Sequence, residues 1–293
     1  MKTCKYSVNT NGLRNKYSSR QIVEMAKTLG LDGIEWGLPK FDEVSAAIKE
    51  MAQLTSDAGL EVASYINGPH LWKRDDMRRW AEAVAKAGGK SLRVAPPWIA
   101  WDYRESLHLK ETWHDLFNLA RDAMPEVEAL ARQTGIRFVV ELHSGALTAS
   151  ALATVKLFEG VDPKCVGAIY DPANTFLEGN MRPRFEVEVL GPYLAYVHAK
   201  NLAYIFSGRF HEEPVRRARW DFRTTHLPYG MVDYLEVFYA LKAAGYQGWI
   251  SSEEYFMEGD DQLVQLRDGL AFLKDCEKNA PGKPEAPYLD LNR

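Results

Sequence analysis

A chain of 293 residues with 46% hydrophobic and 26% charged residues, and no apolar run long enough to cross a bilayer, has the composition of a globular protein with a sizeable core. Its formal net charge of −4 argues against nucleic acid as the main partner, because that partner requires a basic footprint. Three scattered cysteines (Cys4, Cys165 and Cys276) match neither a disulfide framework nor a zinc-ribbon spacing, and the N-terminus lacks a signal peptide's apolar core, so a reducing, cytoplasmic setting away from membranes is expected.

In chain order, one unit recurs: an amphipathic helix, a closing glycine, then a short β-rich run. Strands are predicted at 4–9, 33–36, 61–67, 91–95, 136–143, 166–171, 194–200 and 248–253. Helices are predicted near 18–29, 43–58, 75–87, 110–134, 148–158, 184–190, 232–244 and 261–277, with Gly30, Gly59, Gly88, Gly135 and Gly245 as stops. Pro125 falls inside the fourth helix and predicts a kink or a split. Alternating β and α units without a Gly-x-Gly-x-x-Gly turn after the first strand predict an α/β fold, a closed parallel (β/α)8 TIM barrel over 1–277. Residues 278–293, with Pro281, Pro284 and Pro287, read as an extended tail of this single domain. The stretch from Ala199 to about Met231 is too long for a simple connection, and predicts a lid or an interface.

In such a barrel the C-terminal strand ends carry the chemistry. The fifth strand ends in Glu141 and His143, the sixth in Asp171, the seventh in His198 and Lys200, and the eighth in a glutamate. Four consecutive strands thus end in potential metal ligands. Ile250 packs outward, so parity turns Glu253 rather than Glu254 toward the barrel axis. The same reasoning turns Glu35 and Arg93 inward, either to contact substrate hydroxyls or to form a buried ion pair with each other. In the long excursion, Arg216, Arg217 and Arg219 are candidates for holding an anionic group and Trp220 for covering a sugar face; a solvated loop or a subunit contact is the plainer alternative. Trp36, Tyr65, Trp98 and Trp101 are assigned to packing.

On Glu141 of Glu-x-His, Asp171 of Tyr-Asp-Pro-Ala-Asn, His198 of His-x-Lys-Asn and Glu253 of Ile-Ser-Ser-Glu, the chain resembles the xylose isomerase-like TIM barrels over nearly its whole length. These form the sugar phosphate isomerase/epimerase superfamily, which also holds inosose isomerases and dehydratases and apurinic endonucleases. The resemblance implies that Glu141, Asp171, His198 and Glu253 hold one divalent metal ion and that Glu141 and Glu253 form an acid/base pair. Three carboxylates and one imidazole favour Mn2+ or Mg2+ over Co2+ or Zn2+. His143, Lys200, Glu35, Arg93, Arg217 and Trp220 are then the substrate-binding candidates, for a sugar or cyclitol, in a monomer or a homo-oligomer. Two departures bear on substrate: Asn174 stands where many relatives have His, and Asn201 where an Asp often follows the seventh-strand Lys. The expected activity is isomerisation or epimerisation of a sugar, keto-sugar or sugar phosphate through an enediolate, and the alternative is dehydration of a keto-cyclitol or 3-keto sugar. A DNA-repair nuclease is disfavoured by the acidic balance and the few histidines at strand ends, and a non-enzymatic carbohydrate-binding protein by the complete ligand set.

Overall fold

Apolar strands, each followed by an amphipathic helix, bury both of their faces when they pair in parallel beneath a helical layer. The computed structural model describes residues 3–39, 44–99, 108–179, 181–212, 215–255 and 261–282. Strands β1 (Lys5–Asn9), β2 (Gly33–Gly37), β3 (Glu61–Ile66), β4 (Ser91–Arg93), β5 (Arg137–Glu141), β6 (Val166–Tyr170) and β7 (Leu194–Ala199) pair in sequence, and β10 (Trp249–Ser252) closes the barrel between β7 and β1. The remaining strands, β8 (Asn201–His211) and β9 (Arg217–Thr225), form a separate antiparallel ribbon.

The helices are α1 (Ser19–Thr28), α2 (Val44–Asp57), α3 (Arg74–Lys86), α4 (Trp113–Thr134), α5 (Ala151–Phe158), α6 (Pro172–Leu177), α7 (Pro183–Leu190), α8 (Tyr234–Ala243) and α9 (Gln262–Asn279). Local signals set their limits. Ser18 and Gln21 form a capping box on α1, as Thr112 and Asp115 do on α4, and Gly135 ends α4 at φ 70°.

Side-chain parity divides the barrel wall. Phe138, Val140 and Leu142 are buried outward under the helices, while Val139, Ile169 and Tyr196 form a small inner cluster with Trp249 packed against it. Space for Trp249 is made by Gly33, where a Cβ would lie 2.7 Å from the indole and 2.4 Å from the Glu61 carbonyl oxygen.

The structure departs from the expected pattern at four places. Helix α4 is not split at Pro125, because proline removes one backbone donor while the buried face of Leu116, Ala120, Met124, Val127 and Leu130 holds both halves in one helix. The short α6 was not anticipated; Asp171 caps it and Pro172 opens it. The long excursion after β7 is a ribbon rather than a loop, with its ends clamped by Asn201, which donates to the carbonyls of Leu227 and Val232 and accepts from Val232 N–H. Helix α9 extends to Asn279, two residues into the expected tail, whose remainder beyond 282 lies outside the described residues. Trp101 also lies outside them. No helix among the described residues is long and apolar enough to cross a membrane.

Glu186 on α7 offers a clean test of this packing. It is 1% exposed, Oε2 has no hydrogen-bond partner, and burial pushes its carboxyl up to about 7 against the opposing Met181 N–H. A carboxyl that binds its proton more tightly when folded destabilises the fold above pH 7, and that cost vanishes as the pH falls toward the ordinary glutamate value. Glu186→Gln is therefore expected to raise stability at pH 8 by on the order of 2 kcal/mol, with a smaller gain at pH 5, read by urea denaturation. Equal gains at the two pH values would contradict it.

Candidate metal centre

Four strand ends deliver polar side chains to one point at the top of the barrel. Glu141 is the last residue of β5 and follows the inward-facing Val139. Asp171 follows β6, and its Oδ1 accepts the Ala173 and Asn174 N–H groups at 3.0 and 2.9 Å, which aims Oδ2 at the barrel axis. His198 lies in β7, and Glu253 follows β10, anchored by its N–H to the Ala199 carbonyl at 2.9 Å. One ligand atom from each of the four lies within 4.8 Å of the others, and all four residues are buried.

The histidine shows how these donors are oriented. His198 Nε2 faces the Glu35 carboxylate at 2.9 and 3.1 Å, so the ring donates through Nε2 to a group that can only accept. Nδ1 is left without a hydrogen-bond partner, 3.3 Å from Glu141 Oε1 and 3.4 Å from Glu253 Oε2. A carboxylate behind an imidazole whose other nitrogen faces carboxylate oxygens is the usual support of a metal-binding histidine. Asp171 Oδ2 points into the same cluster, 2.8 Å from the Lys200 ammonium but without hydrogen-bond geometry toward it. The donor set therefore fits a divalent cation.

The cluster's own cations offset its negative charge. Lys200 Nζ lies 2.8 Å from Asp171, 3.0 Å from Glu253 and 3.8 Å from Glu141, and Arg93 pairs with Glu141 at 2.7 Å. Burial alone would raise Glu141, yet Arg93, His198 and His143 hold it well below the usual carboxylate range. Burial likewise opposes ionisation of Glu253, but Lys200 and His198 bring it to about 2. Asp171 is pushed up to about 7, first by burial and then by Glu141 and Glu253, against the pull of Lys200. His198 is the converse case: burial lowers it, and Glu35, Glu253 and Glu141 outweigh burial to hold it well above its ordinary value.

Several sequence-derived candidates sit elsewhere than expected. Glu35 does point inward, but Tyr196, Ser251 and His198 occupy its oxygens at 2.5, 2.6 and 2.9 Å, so it lies beneath the centre and away from the open mouth. The Glu35 and Arg93 ion pair is not formed, since Arg93 reaches Glu141 instead. His143 stands at the rim, half-buried, its Nδ1 2.8 Å from the Ser144 carbonyl oxygen and its ring tilted against Trp98. Trp36 and Tyr65 are buried, whereas Trp98 is 39% exposed beside His143. Arg217 and Trp220 lie on the ribbon, where Trp220 pairs with Phe206, five residues along β8 from its root at Asn201. Arg217 pairs with His211, ten residues along β8 from its root at Asn201, or roughly 30 Å of extended strand.

Glu254 is separated from Glu253 as parity requires: it turns outward and accepts from Gln265 at 3.0 Å and Ser252 at 3.3 Å. Two asparagines hold the glutamates in place: Asn9, which sequence reasoning missed, and Asn174, which it marked only as a departure from the family pattern. Asn9, at the inward-facing end of β1, donates to Glu253 Oε1 at 3.0 Å, and Asn174 donates to Glu141 Oε1 at 2.9 Å. Parity along β1 would have found Asn9. A second acidic group, Glu128, Asp162 and Cys165, is bridged by Arg132 at 2.7 and 3.0 Å and reads as a helix-surface ion pair network.

The family model of the xylose isomerase-like TIM barrel matches residues 23–276. An inosose dehydratase of Geobacillus kaustophilus is 27% identical over 269 residues, covering 83% of this chain and 82% of that protein. Among solved structures, the 3-keto-D-glucoside 4-epimerase of E. coli aligns with a TM-score of 0.71 at 18% identity, covering 94% of this chain and 100% of that one. The D-psicose 3-epimerase of Clostridium cellulolyticum H10 also aligns at 0.71, with 15% identity and coverage of 93% and 99%. At these identities the solved structures show likeness of fold alone.

Calorimetric titration with Mn2+ tests the centre. Glu253→Gln is expected to weaken binding at least about a hundredfold and Glu254→Gln to leave it nearly unchanged. Glu35→Gln, which swaps the carboxylate behind His198 for an amide, is expected to cost about ten- to a hundredfold. Because Asp171 takes up a proton as the pH falls through about 7, affinity should also weaken between pH 8 and pH 6. Equal binding by the Glu253 and Glu254 variants would sink the assignment.

Proposed function

Because the chain belongs to the xylose isomerase-like TIM barrel family, we propose that it is a divalent-metal-dependent isomerase or epimerase of a sugar or keto-sugar. The observation that carries this reading is the convergence of two ionised glutamates, Glu141 from β5 and Glu253 beyond β10, to 3.3 and 3.4 Å from His198 Nδ1. A divalent cation held by Glu141, Asp171, His198 and Glu253 supplies Lewis acidity, stabilising negative charge on the oxygens of a bound hydroxy-ketone. The oxygen-rich set favours Mn2+ or Mg2+ over softer ions.

The remaining steps belong to the chain's own residues. A substrate carbon carrying a hydroxyl next to a carbonyl, placed between Glu141 and Glu253, loses its proton to one carboxylate and regains it from the other. Return to the opposite face of the same carbon epimerises it, and return to the neighbouring carbon isomerises the ketone. Arg93 and Asn174 fix the Glu141 oxygens, and Asn9 and Lys200 fix those of Glu253, so both carboxylates are oriented before substrate arrives. His143, close enough to Glu141 to feel its charge, and Lys200, beside Glu141 and Glu253, are the candidates for meeting substrate hydroxyls.

The inosose dehydratase relative favours a second reading, elimination of water from a keto-cyclitol or 3-keto sugar. That reaction adds one requirement, an acid at the departing hydroxyl. Lys200, held well above its ordinary value by Asp171, Glu253 and Glu141 against the opposing effect of burial, is the protonated group on hand.

Incubation with Mn2+ and a panel of ketoses and keto-cyclitols in deuterated water, followed by mass spectrometry, separates the two. Gain of one deuterium without loss of water is expected, and Glu141→Gln and Glu253→Gln should each reduce that exchange by at least about a thousandfold. A dehydrated product would assign the second reading. Full activity after chelation and dialysis would overturn both.

A further inference from the structure

Beyond its root the β8–β9 ribbon projects from the barrel, and its two faces differ. The antiparallel register sets Tyr204 opposite Phe222 and Phe206 opposite Trp220. Alternation therefore places these four rings on one face, and the register shift before Phe210, which pairs with Ala218, returns Phe210 to that face. Within this set Phe206 lies 5.4 Å from Trp220 and 5.9 Å from Phe210, ring centre to ring centre. Arg217, Arg219, Asp221 and Arg223 alternate onto the other face, where Arg219 and Asp221 pair at 3.0 Å.

The aromatic face meets its own barrel near the root, where Leu202 is buried, the Tyr204 ring lies 6.3 Å from that of Phe176, and the Tyr204 hydroxyl donates to the Leu177 carbonyl at 3.3 Å. Each of the five rings is at least two-fifths exposed, and Trp220 reaches 61%. A two-stranded ribbon is marginal in water unless one face is covered. The five residues together expose roughly 600 Å2, at the upper end of the largest apolar patch on a typical monomer and below the ~800 Å2 that each partner brings to a stable interface.

We propose that this face is covered by the same face of a second copy of the chain, two ribbons packing aromatic side to aromatic side about a two-fold axis. The segregation of charge selects this occupant. The one charged side chain set over the rings, Arg216 on Phe210, stands at the outer end of the row, so a two-fold that runs the two ribbons antiparallel keeps the two Arg216 side chains apart, while the arginine face stays in water. A nucleic-acid strand would need arginines and stacking rings together on one face, and here Arg217, Arg219 and Arg223 lie on the face opposite the rings. A sugar would need polar groups among the rings to orient it, and the patch offers chiefly the Tyr204 hydroxyl, which is engaged by Leu177. Arg216, 4.2 Å over the Phe210 ring, supplies a charged rim at the patch's outer end.

Sedimentation equilibrium with the full chain tests the pairing. The wild type is expected at twice its 33.2 kDa at low micromolar concentration. The double variant Phe206→Ser/Trp220→Ser should dissociate at least about a hundredfold more readily, with Mn2+ affinity unchanged. Arg219→Ala/Arg223→Ala, on the opposite face, should remain dimeric. All three native thiols are buried, so an introduced thiol can be addressed selectively in case the serine variant fails to fold. Ala218→Cys, within the aromatic face, should give a covalent dimer with a flexible bis-maleimide, and Arg223→Cys far less. A monomeric wild type, a dimer that survives the serine double variant, or equal cross-linking at the two positions would overturn the proposal.

Discussion

Four carboxylates, Glu35, Glu141, Asp171 and Glu253, are buried together in the upper half of the barrel, and compensating their charge shapes what surrounds them. Isolated charges in such surroundings would neutralise or destabilise the fold. The structure answers with Lys200, Arg93 and His198, and with neutral donors: Asn9, Asn174, Tyr196 and Ser251. Glu141 and Glu253 end well below the ordinary range while Asp171 rises to about 7, so the cluster divides its charge unevenly. The environment of each oxygen produces that division.

The centre is layered along the barrel axis. At the bottom, Trp249 packs against Val139, Ile169 and Tyr196, keeping the inside closed. Above this, Glu35 accepts from Tyr196, Ser251 and His198, joining apolar filling to ionic chemistry. The four convergent donors come next, with Lys200 among them, and His143 and Trp98 stand at the rim. Precision follows from this order, because each layer is held by strand backbone and the layer beneath it.

The ribbon and α6 show how loops after barrel strands acquire separate tasks. Helix α6 exists because Asp171 is both a strand end and an N-cap, so the residue that presents Oδ2 to the centre is pinned through Oδ1. The ribbon leaves from the next strand end, and the Asn201 clamp holds its two legs together at the barrel. It carries Trp220 and Arg217 out along the hairpin, opposite Phe206 and His211, five and ten residues from the root at Asn201.

Local sequence determined most of the wall and the inward set. Periodicity and glycine stops marked the strands and most of the helices, because a parallel strand buried on both faces cannot disguise its composition. Parity alone separated Glu253 from Glu254 and turned Glu35 and Arg93 inward, since side chains on a rigid strand have two directions to choose from. The two-residue alternation of Arg217-Ala218-Arg219-Trp220-Asp221-Phe222-Arg223 was also present, but a hairpin's faces acquire meaning only when both strands and their register are known. Tertiary structure alone decided the partners: Arg93 with Glu141 instead of Glu35, Glu35 beneath His198, Asn9 on Glu253, Asn174 on Glu141. Those pairings depend on how far each strand is staggered against neighbours distant in sequence, a displacement of a few ångströms that residue type and spacing do not encode.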